Sequence, residues 1–422
     1  MKWKDWDFNL KLRLYGEGVM NILFWSFFPF MTIFFSDTFG KKEASILLII
    51  SQFFSVIANL VGGYCADRYG RKKMMVLSVM GQSISFVLFA AANSPWWNSP
   101  LATFIAFSLL SICGSFYWPA SHAMVADVVD EKNRTQVFAV FYTAINIAVV
   151  VGPIIGGLVF FQYRFQMLLA GVIISAILAF VLSRYLRETA PLQAKKETKK
   201  RSWYSAIWDE IQDYKIIVND KMFLLFILAG ILIAQTFMQL DLIISVYMKD
   251  SVGQQTLLRI FDWKWEVKGA QAFSLVLATN GLLVALFTVY ITKVMSKYKE
   301  SRAFILSSCL YAIAISLFGF FTNVWVLLIL ISIFTLAELM VAGVQESFIS
   351  KLAPDHMRGR YFSAASLRFT IGRLLAPISL AFSDWFSYQV VFILLGVLAL
   401  SGAFLYSILF HRLEKVQPTS TT

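Results

Sequence analysis

The chain has 422 residues with a net charge of +12; 58% of them are hydrophobic, 16% aromatic and only 15% charged. The mean hydropathy of +0.68 exceeds what the core of a soluble protein of this length requires, and apolar stretches of about 20 residues recur along the whole chain. Because these stretches are continuous rather than alternating, they exclude a soluble domain and a transmembrane β-barrel and predict an all-α, polytopic membrane protein.

The opening segment, MKWKDWDFNLKLRL, is charged but runs into an apolar span with no small-residue cleavage site, which predicts a retained first helix rather than a signal peptide. The apolar runs predict twelve transmembrane helices in all. They lie near 14–36, 43–66, 74–92, 101–127, 135–160, 165–186, 222–248, 269–293, 302–321, 325–349, 361–383 and 389–410.

Lysine and arginine residues are distributed unequally between the two sides. With the N-terminus inside, the inner segments carry 28 of them and the outer loops only seven. The seven are Lys41, Lys42, Arg164, Lys249, Arg259, Lys264 and Lys268. The positive-inside rule therefore predicts that both termini are cytoplasmic, and the net charge indicates anionic lipid rather than nucleic acid as the basic residues' neighbour.

The longest polar stretch divides the chain into an N-terminal six-helix half (1–186), a cytoplasmic linker (187–221) and a C-terminal six-helix half (222–422). Within the linker, apolar residues recur at helical spacing from Trp203 to Tyr214, which fits either an amphipathic helix on the inner membrane surface or a plain linker helix.

The two halves repeat at an offset of 224 residues. Arg134 corresponds to Arg358, and Pro153 corresponds to Pro377. Because these matches fall in register with the six-span pattern, they predict two pseudo-symmetric bundles.

In span one, Glu17 stands one turn beyond Arg13, near the predicted inner end of the helix. This spacing predicts an ion pair at the membrane interface, with a role in substrate binding as the alternative.

The inner loop after span two reads GYCADRYGRKK. Gly63 allows close helix approach, Gly70 allows a tight turn, and the charges of Asp67, Arg68 and Arg71 can fasten neighbouring helices on the cytoplasmic side.

This loop resembles the GxxxDRxGRK signature of the major facilitator superfamily. The resemblance implies that Asp67 meets the start of span eleven and that Arg71 pairs with Asp127 at the end of span four.

Span five contains Gly152, Pro153, Gly156 and Gly157, a GPxxGG pattern that resembles the drug:proton antiporter branch of the superfamily. Small residues predict tight packing against another helix and the proline predicts a bend, whereas a simple packing face is the competing interpretation.

Ionisable residues inside spans are costly and therefore indicate function. Glu338, close to the middle of span ten, is predicted to carry the proton. Asp241, late in span seven, is predicted to be a second titrating site or an outer latch.

Span eleven carries two arginines. Arg368 is predicted to pair with Glu346, and Arg373 is predicted either to neutralise Glu338 or to receive an anionic group of the substrate.

The loop LLRIFDWKWEVKG alternates apolar and polar residues, which predicts strands. With Asp127, Asp241, Glu338 and Arg368, it resembles the LmrP type of bacterial multidrug exporter. That type carries an acid where this chain has Phe141, which leaves the coupling stoichiometry open.

The 40 Phe, 16 Tyr and 12 Trp residues supply π faces suited to amphipathic cations. Residues predicted to line a substrate cavity are Asn21, Trp25, Trp118, His122, Tyr142, Asn146, Gln235, Gln239, Glu346, Arg368 and Arg373.

The sequence predicts a monomeric secondary transporter of the bacterial cytoplasmic membrane that exchanges protons for lipophilic or cationic drugs by alternating access. Its partners are the small-molecule substrate, protons and the lipid bilayer, without nucleic acid. An alternative cargo is an anionic metabolite or lipid held by Arg368 and Arg373. Scattered histidines and cysteines predict no enzyme activity, no cofactor and no metal site, and the chain lacks a phosphate-binding GxxxxGK[ST] loop.

Overall fold

The computed structural model describes residues 3–190, Trp208, 220–353 and 358–416. In this part of the chain, twelve helical segments are long and apolar enough to cross a membrane. The predicted all-α fold with twelve spans is therefore confirmed. The predicted amphipathic helix of the linker lies outside the described residues, apart from Trp208.

Six long helices make up the first half of the chain. They are α1 (Phe8–Phe39), α2 (Lys41–Tyr69), α3 (Arg71–Ala91), α4 (Pro100–Val128), α5 (Glu131–Val159) and α6 (Arg164–Tyr185). A short hairpin of β1 (Asn93–Ser94) and β2 (Trp97–Asn98) joins α3 to α4.

Single glycines make the first two connections. Gly40 (φ +93°) lies between α1 and α2, and Gly70 (φ +102°) lies between α2 and α3. Both adopt a left-handed conformation that side chains disfavour, so the tight turn expected at Gly70 is present.

The described residues of the second half, 220–353 and 358–416, form nine α-helices and one hairpin. They are α7 (Lys221–Phe237), α8 (Ile243–Ser251), β3 (Gln255–Ile260), β4 (Trp263–Val267), α9 (Gly269–Met295), α10 (Glu300–Phe318), α11 (Val324–Ala342), α12 (Val344–Leu352), α13 (Arg358–Leu375), α14 (Ile378–Trp385) and α15 (Tyr388–Val416). Strands β3 and β4 pair antiparallel, as the alternating sequence predicts.

Spans seven, ten and eleven are each interrupted, although the sequence predicts continuous helices. Span seven breaks at a 3₁₀ turn, Met238–Asp241, followed by Leu242 with φ −112° and ψ −100°. Span ten breaks at Gly343, and span eleven breaks before Pro377, which has no N–H to continue the helical ladder. Pro153, in contrast, lies inside the uninterrupted helix α5.

The chain forms two compact units. The first contains 1–31 and 47–209, and the second contains 32–46 and 210–422. The division differs from the halves expected from the sequence, because the end of α1 and the beginning of α2 pack with the second unit.

Each unit has its own apolar interior. In the first, methionines such as Met75 and Met124 pack against Leu182. In the second, aromatic rings pack together where α7, α10, α12 and α15 meet, including Phe226, Phe304 and Phe348. In a bilayer such packing is held by van der Waals contact rather than by exclusion of water.

The start of α7 is fixed to α13. Asp220 caps α7 by accepting hydrogen bonds from the N–H groups of Met222 and Phe223, both at 3.0 Å. Its other carboxylate oxygen accepts a hydrogen bond from the Tyr361 hydroxyl at 2.8 Å.

Candidate functional site

Arg71 is the centre of the charged cluster at the loop between α2 and α3. Its guanidinium contacts Asp67 at 2.6 Å, Asp127 at 3.2 Å and the carbonyl of Ala66 at 2.8 Å. Its main-chain N–H donates to Glu188 at 2.9 Å. The structure therefore brings together the end of α2, the end of α4 and the segment after α6, and it places Arg71 beside Asp127 as the resemblance implies.

The contacts of Arg68 and the surroundings of Gly63, in the same segment, differ from those of Arg71. The Arg68 guanidinium donates to the Tyr64 hydroxyl and lies 5.6 Å from the Tyr69 ring. The close helix approach expected at Gly63 is wrong, because no described atom lies within 4 Å of a Cβ placed there. Gly62 makes that approach instead, and a Cβ there would lie 3.2 Å from the main chain of Phe116.

The predicted ion pair between Arg13 and Glu17 is present, and it is buried within the first unit. Arg13 Nε donates to Glu17 Oε1 at 2.9 Å, and the two side chains are 1% and 9% exposed. The same oxygen accepts hydrogen bonds from Tyr117 at 2.8 Å and Ser121 at 2.9 Å. The pair is covered because Trp6, before α1, stacks on Phe141 of α5, and the Arg13 guanidinium lies 4.9 Å from the Phe141 ring.

The glycines of span five pack against α1. A Cβ on Gly152 would lie 2.8 Å from the main-chain carbon of Trp25, and one on Gly156 would collide with the Ser26 carbonyl. Pro153 is buried between them, and Gly157 is half-buried. The pattern therefore forms a contact between two backbones.

Glu338 is half-buried on α11 and is held by a partner on α9. Asn280 donates to Glu338 Oε2 at 3.1 Å and to Thr335 Oγ1 at 2.9 Å. Thr335 in turn donates to the carbonyl of Ile331 at 2.7 Å. A single neutral amide thus orients the carboxyl, with no ion pair to it among the described residues.

Asp241 lies at the break in span seven. Its Oδ1 is fully buried and has no hydrogen-bond partner among the described residues. Arg373, on α13, is close enough to interact with it electrostatically but not close enough to form an ion pair in the described structure.

Gln239 joins the break in span seven to the break in span eleven. Its amide nitrogen donates to the carbonyls of Gln235 and Ala376, both at 3.1 Å. Its amide oxygen accepts a hydrogen bond from Ser379 at 2.6 Å. Gln239 is 0% exposed, so its expected place on a cavity wall is wrong. Main-chain carbonyls at the ends of the broken helices need hydrogen-bond donors, and the side-chain amide of Gln239 supplies them.

Arg368 is 4% exposed and is likewise not a cavity residue. Its guanidinium lies 4.3 Å from the Phe226 ring, and its Nε donates to the Ala365 carbonyl at 2.9 Å. The side chain passes over Gly230, where a Cβ would collide with it. The predicted pairing with Glu346 cannot be described, because the Glu346 side chain lies outside the described residues. Arg373, in contrast, is exposed.

The remaining cavity candidates differ in exposure. His122 and Tyr142 are exposed, Asn146 and Gln235 are buried, and Asn21, Trp25 and Trp118 are half-buried. Asn146 donates to the carbonyl of Tyr142 in its own helix at 2.9 Å, and His122 packs against the Trp118 and Phe138 rings.

Sequence reasoning missed the polar partners of the acidic residues. Tyr117 and Ser121 are four residues apart on an otherwise apolar stretch of α4, and Thr335 lies three residues before Glu338. A polar side chain one helical turn from another polar or charged residue in a span is the signal that would have indicated these contacts.

The sequence model of the family described as the Major Facilitator Superfamily matches residues 16–261 and 266–422. The chain belongs to this family. It is therefore a multi-pass membrane transporter and not an enzyme. The predicted family and class of protein are confirmed.

The chain resembles two relatives in sequence and one solved structure in fold. It is 51% identical over 418 residues to a Na(+), Li(+), K(+)/H(+) antiporter of Planococcus maritimus, covering 98% of this chain and 99% of the relative. It is 25% identical to a class H tetracycline resistance protein of Pasteurella multocida, covering 89% and 87%. A POT family transporter crystallised with 5-aminolevulinic acid has the same fold, with a TM-score of 0.76, 16% identity and coverage of 94% and 95%.

Proposed function

We propose that this chain is a proton-coupled antiporter that exports monovalent cations. The observation that carries the proposal is the 51% identity, over nearly the full length of both chains, to an antiporter of Na⁺, Li⁺ and K⁺ against protons. Exchange of this kind requires an ionisable group within the spans, since a proton has to be taken up on one side of the membrane and released on the other.

Glu338 is the group proposed to carry the proton. It lies in an apolar span, it is only half-buried, and its described hydrogen-bond partner is the neutral Asn280. A carboxyl that is not locked in an ion pair can be protonated without leaving a buried positive partner uncompensated.

Efflux of lipophilic or cationic drugs is the second candidate. It is supported by the tetracycline resistance relative and by the many aromatic side chains, which suit organic cations. An anionic cargo has less support, because Arg368, one of its two proposed ligands, is buried against Phe226.

We further propose that the transporter acts as a monomer in the bacterial cytoplasmic membrane, with both termini in the cytoplasm and without a nucleic-acid partner. One chain supplies both compact units, and the excess of basic residues on one side supports the orientation. The loop from Asp67 to Arg71 is proposed to act as the cytoplasmic latch.

Reconstituted protein tests the function directly. Liposomes loaded with acidic buffer and a pH-sensitive dye are expected to lose protons when Na⁺, Li⁺ or K⁺ is added outside. Glu338→Gln is expected to abolish the exchange, and Glu266→Gln, which removes an exposed carboxylate from strand β4, serves as the control.

Failure of all three cations to drive proton movement, in liposomes that respond normally to a cation/proton ionophore, would disprove cation antiport. Proton movement driven only by an organic cation such as ethidium would instead favour the second candidate.

A further inference from the structure

We propose that the break in span seven holds the transported monovalent cation, with Asp241 Oδ1 as its charged ligand. This inference rests on the proposed cation antiport and assigns the cation a place separate from the proton at Glu338.

One oxygen of the Asp241 carboxylate lacks a partner among the described residues. A buried carboxylate oxygen ordinarily accepts hydrogen bonds, and leaving it without any is destabilising. Oδ1 of Asp241 is fully buried without a hydrogen-bond donor among the described residues. A bound cation is the partner that supplies the missing contact to this oxygen.

The main chain around this carboxylate departs from a regular helix. Met238–Asp241 forms a 3₁₀ turn between α7 and α8, and Leu242 has non-helical φ and ψ. Carbonyls at such a break leave the i to i+4 ladder, and discontinuous membrane helices use them to coordinate alkali cations. In the proposed site the ligands are the Asp241 carboxylate and main-chain oxygens of the turn, and hard cations prefer oxygen ligands of both kinds.

Hydrogen bonds fix the turn in place. Gln239, inside the 3₁₀ turn, is hydrogen-bonded to Ala376 and Ser379 on both sides of the break in span eleven. Ser245, one turn later, donates to the carbonyl of Leu242 at 2.7 Å. Because hydrogen bonds from span eleven and from Ser245 hold the turn, it is pre-organised. Pre-organisation reduces the free-energy cost of ordering ligands around an ion.

The charges nearby favour a monovalent ion. Arg373 on α13 interacts electrostatically with Asp241. One carboxylate beside one guanidinium has no net charge, so a divalent ion would leave two uncompensated positive charges in the span, whereas Na⁺, Li⁺ or K⁺ leaves one. Among the described residues, no group of three His, Cys, Asp or Glu side chains is present to hold a metal ion of higher charge.

Direct binding of sodium to the purified protein is the test. Radioactive sodium is titrated in choline buffer against the wild-type chain, Asp241→Asn and Asp262→Asn. The last removes an exposed carboxylate from the turn between β3 and β4 and is the matched control. Saturable binding is expected for the wild-type chain and for Asp262→Asn, and it is expected to be lost in Asp241→Asn.

Three further variants test the assignment of the cation to Asp241. Glu338→Gln is expected to bind sodium normally while losing exchange. Arg373→Met is expected to bind sodium roughly tenfold more tightly, because a repelling charge is removed. Asp241→Glu, which keeps the charge, is expected to restore binding with an altered preference among the three cations.

Normal sodium binding by a folded Asp241→Asn protein, judged by its elution as a single species and its unchanged melting temperature, overturns the inference. If that variant also exchanges cations for protons in liposomes, the antiport function stands and only its location is wrong. If the wild-type chain exchanges none of the three cations, the proposed function fails, whatever Asp241 binds.

Discussion

The carboxylate of Glu17 accepts three hydrogen bonds on one oxygen, from Arg13, Tyr117 and Ser121. Arg13 also donates to Ser121, and its Nη1 is buried without a partner among the described residues. An arginine cannot discard its charge, so its position in the first unit depends on Glu17. Pairs of this type are expensive to break, although replacing both members by apolar residues is often tolerated.

Glu17→Gln is therefore expected to lower the free energy of unfolding by about 3–5 kcal/mol, because it leaves a buried guanidinium uncompensated. The double variant Arg13→Met, Glu17→Leu is expected to recover most of that loss. Unfolding of the purified protein in detergent, followed by tryptophan fluorescence, measures both. A double variant no more stable than Glu17→Gln alone would show that the pair is not the source of the effect.

The residues that carry charge were easier to predict than their surroundings. Glu338, Asp241 and Arg71 stand out because an ionisable residue in or beside an apolar span is rare. Their partners do not stand out, because Asn280 and Thr335 meet Glu338 only after α9 and α11 pack together. The burial of Gln239 and Arg368 was missed for the same reason, since a polar residue in a span can equally face a cavity or satisfy another helix.

Between elements, the tight contact of α5 with the main chain of α1 is made at two glycines. The main chain of Trp25 and the carbonyl of Ser26 occupy the space that side chains on Gly152 and Gly156 would need. Neither backbone can yield without moving a whole helix, so the contact is intolerant of added volume.

Gly156→Ala is expected to destabilise the protein by about 1–3 kcal/mol, the usual cost of overpacking. Gly114→Ala on α4 is the matched control, because no described atom lies within 4 Å of a Cβ there, and alanine favours a helix. Melting temperatures of the two variants in the same detergent make the comparison. Equal melting temperatures would mean that the two helices separate easily.

Most elements could be predicted from hydrophobic runs, and the β3–β4 hairpin from alternation. The breaks in the spans could not be predicted in the same way. Span seven breaks within MQLDL, which contains neither glycine nor proline, because the conformation of this turn is stabilised by hydrogen bonds from Gln239 to a distant helix. Span eleven has a visible cause in Pro377, but many membrane helices continue through a proline, as α5 does at Pro153.

For the whole molecule, the distribution of basic residues predicts which side of the membrane each connecting segment faces. If the positive-inside rule holds, the hairpins that carry Trp96 and Phe261 face the outside, and the end of α15 faces the cytoplasm. The two positions are 85% and 93% exposed, so a probe placed there can be reached.

Single cysteines at Trp96, Phe261 and Lys415, in a chain with Cys65, Cys113 and Cys309 replaced by serine, test this sidedness. Membrane-impermeant maleimide added to intact cells is expected to label the first two positions and to label Lys415→Cys only after lysis. Labelling of Lys415→Cys in intact cells would contradict the proposed orientation.

Helix α2 is attached to each of its neighbours through a single residue, Gly40 on one side and Gly70 on the other. Neither joint has spare chain to absorb an inserted sequence, and neither tolerates a side chain at its left-handed φ. Protein engineers should therefore leave these two corners untouched. Epitopes, fluorescent fusions or binding tags belong at the exposed hairpin tips beside Trp96 and Phe261, where extra length is accommodated without displacing a span.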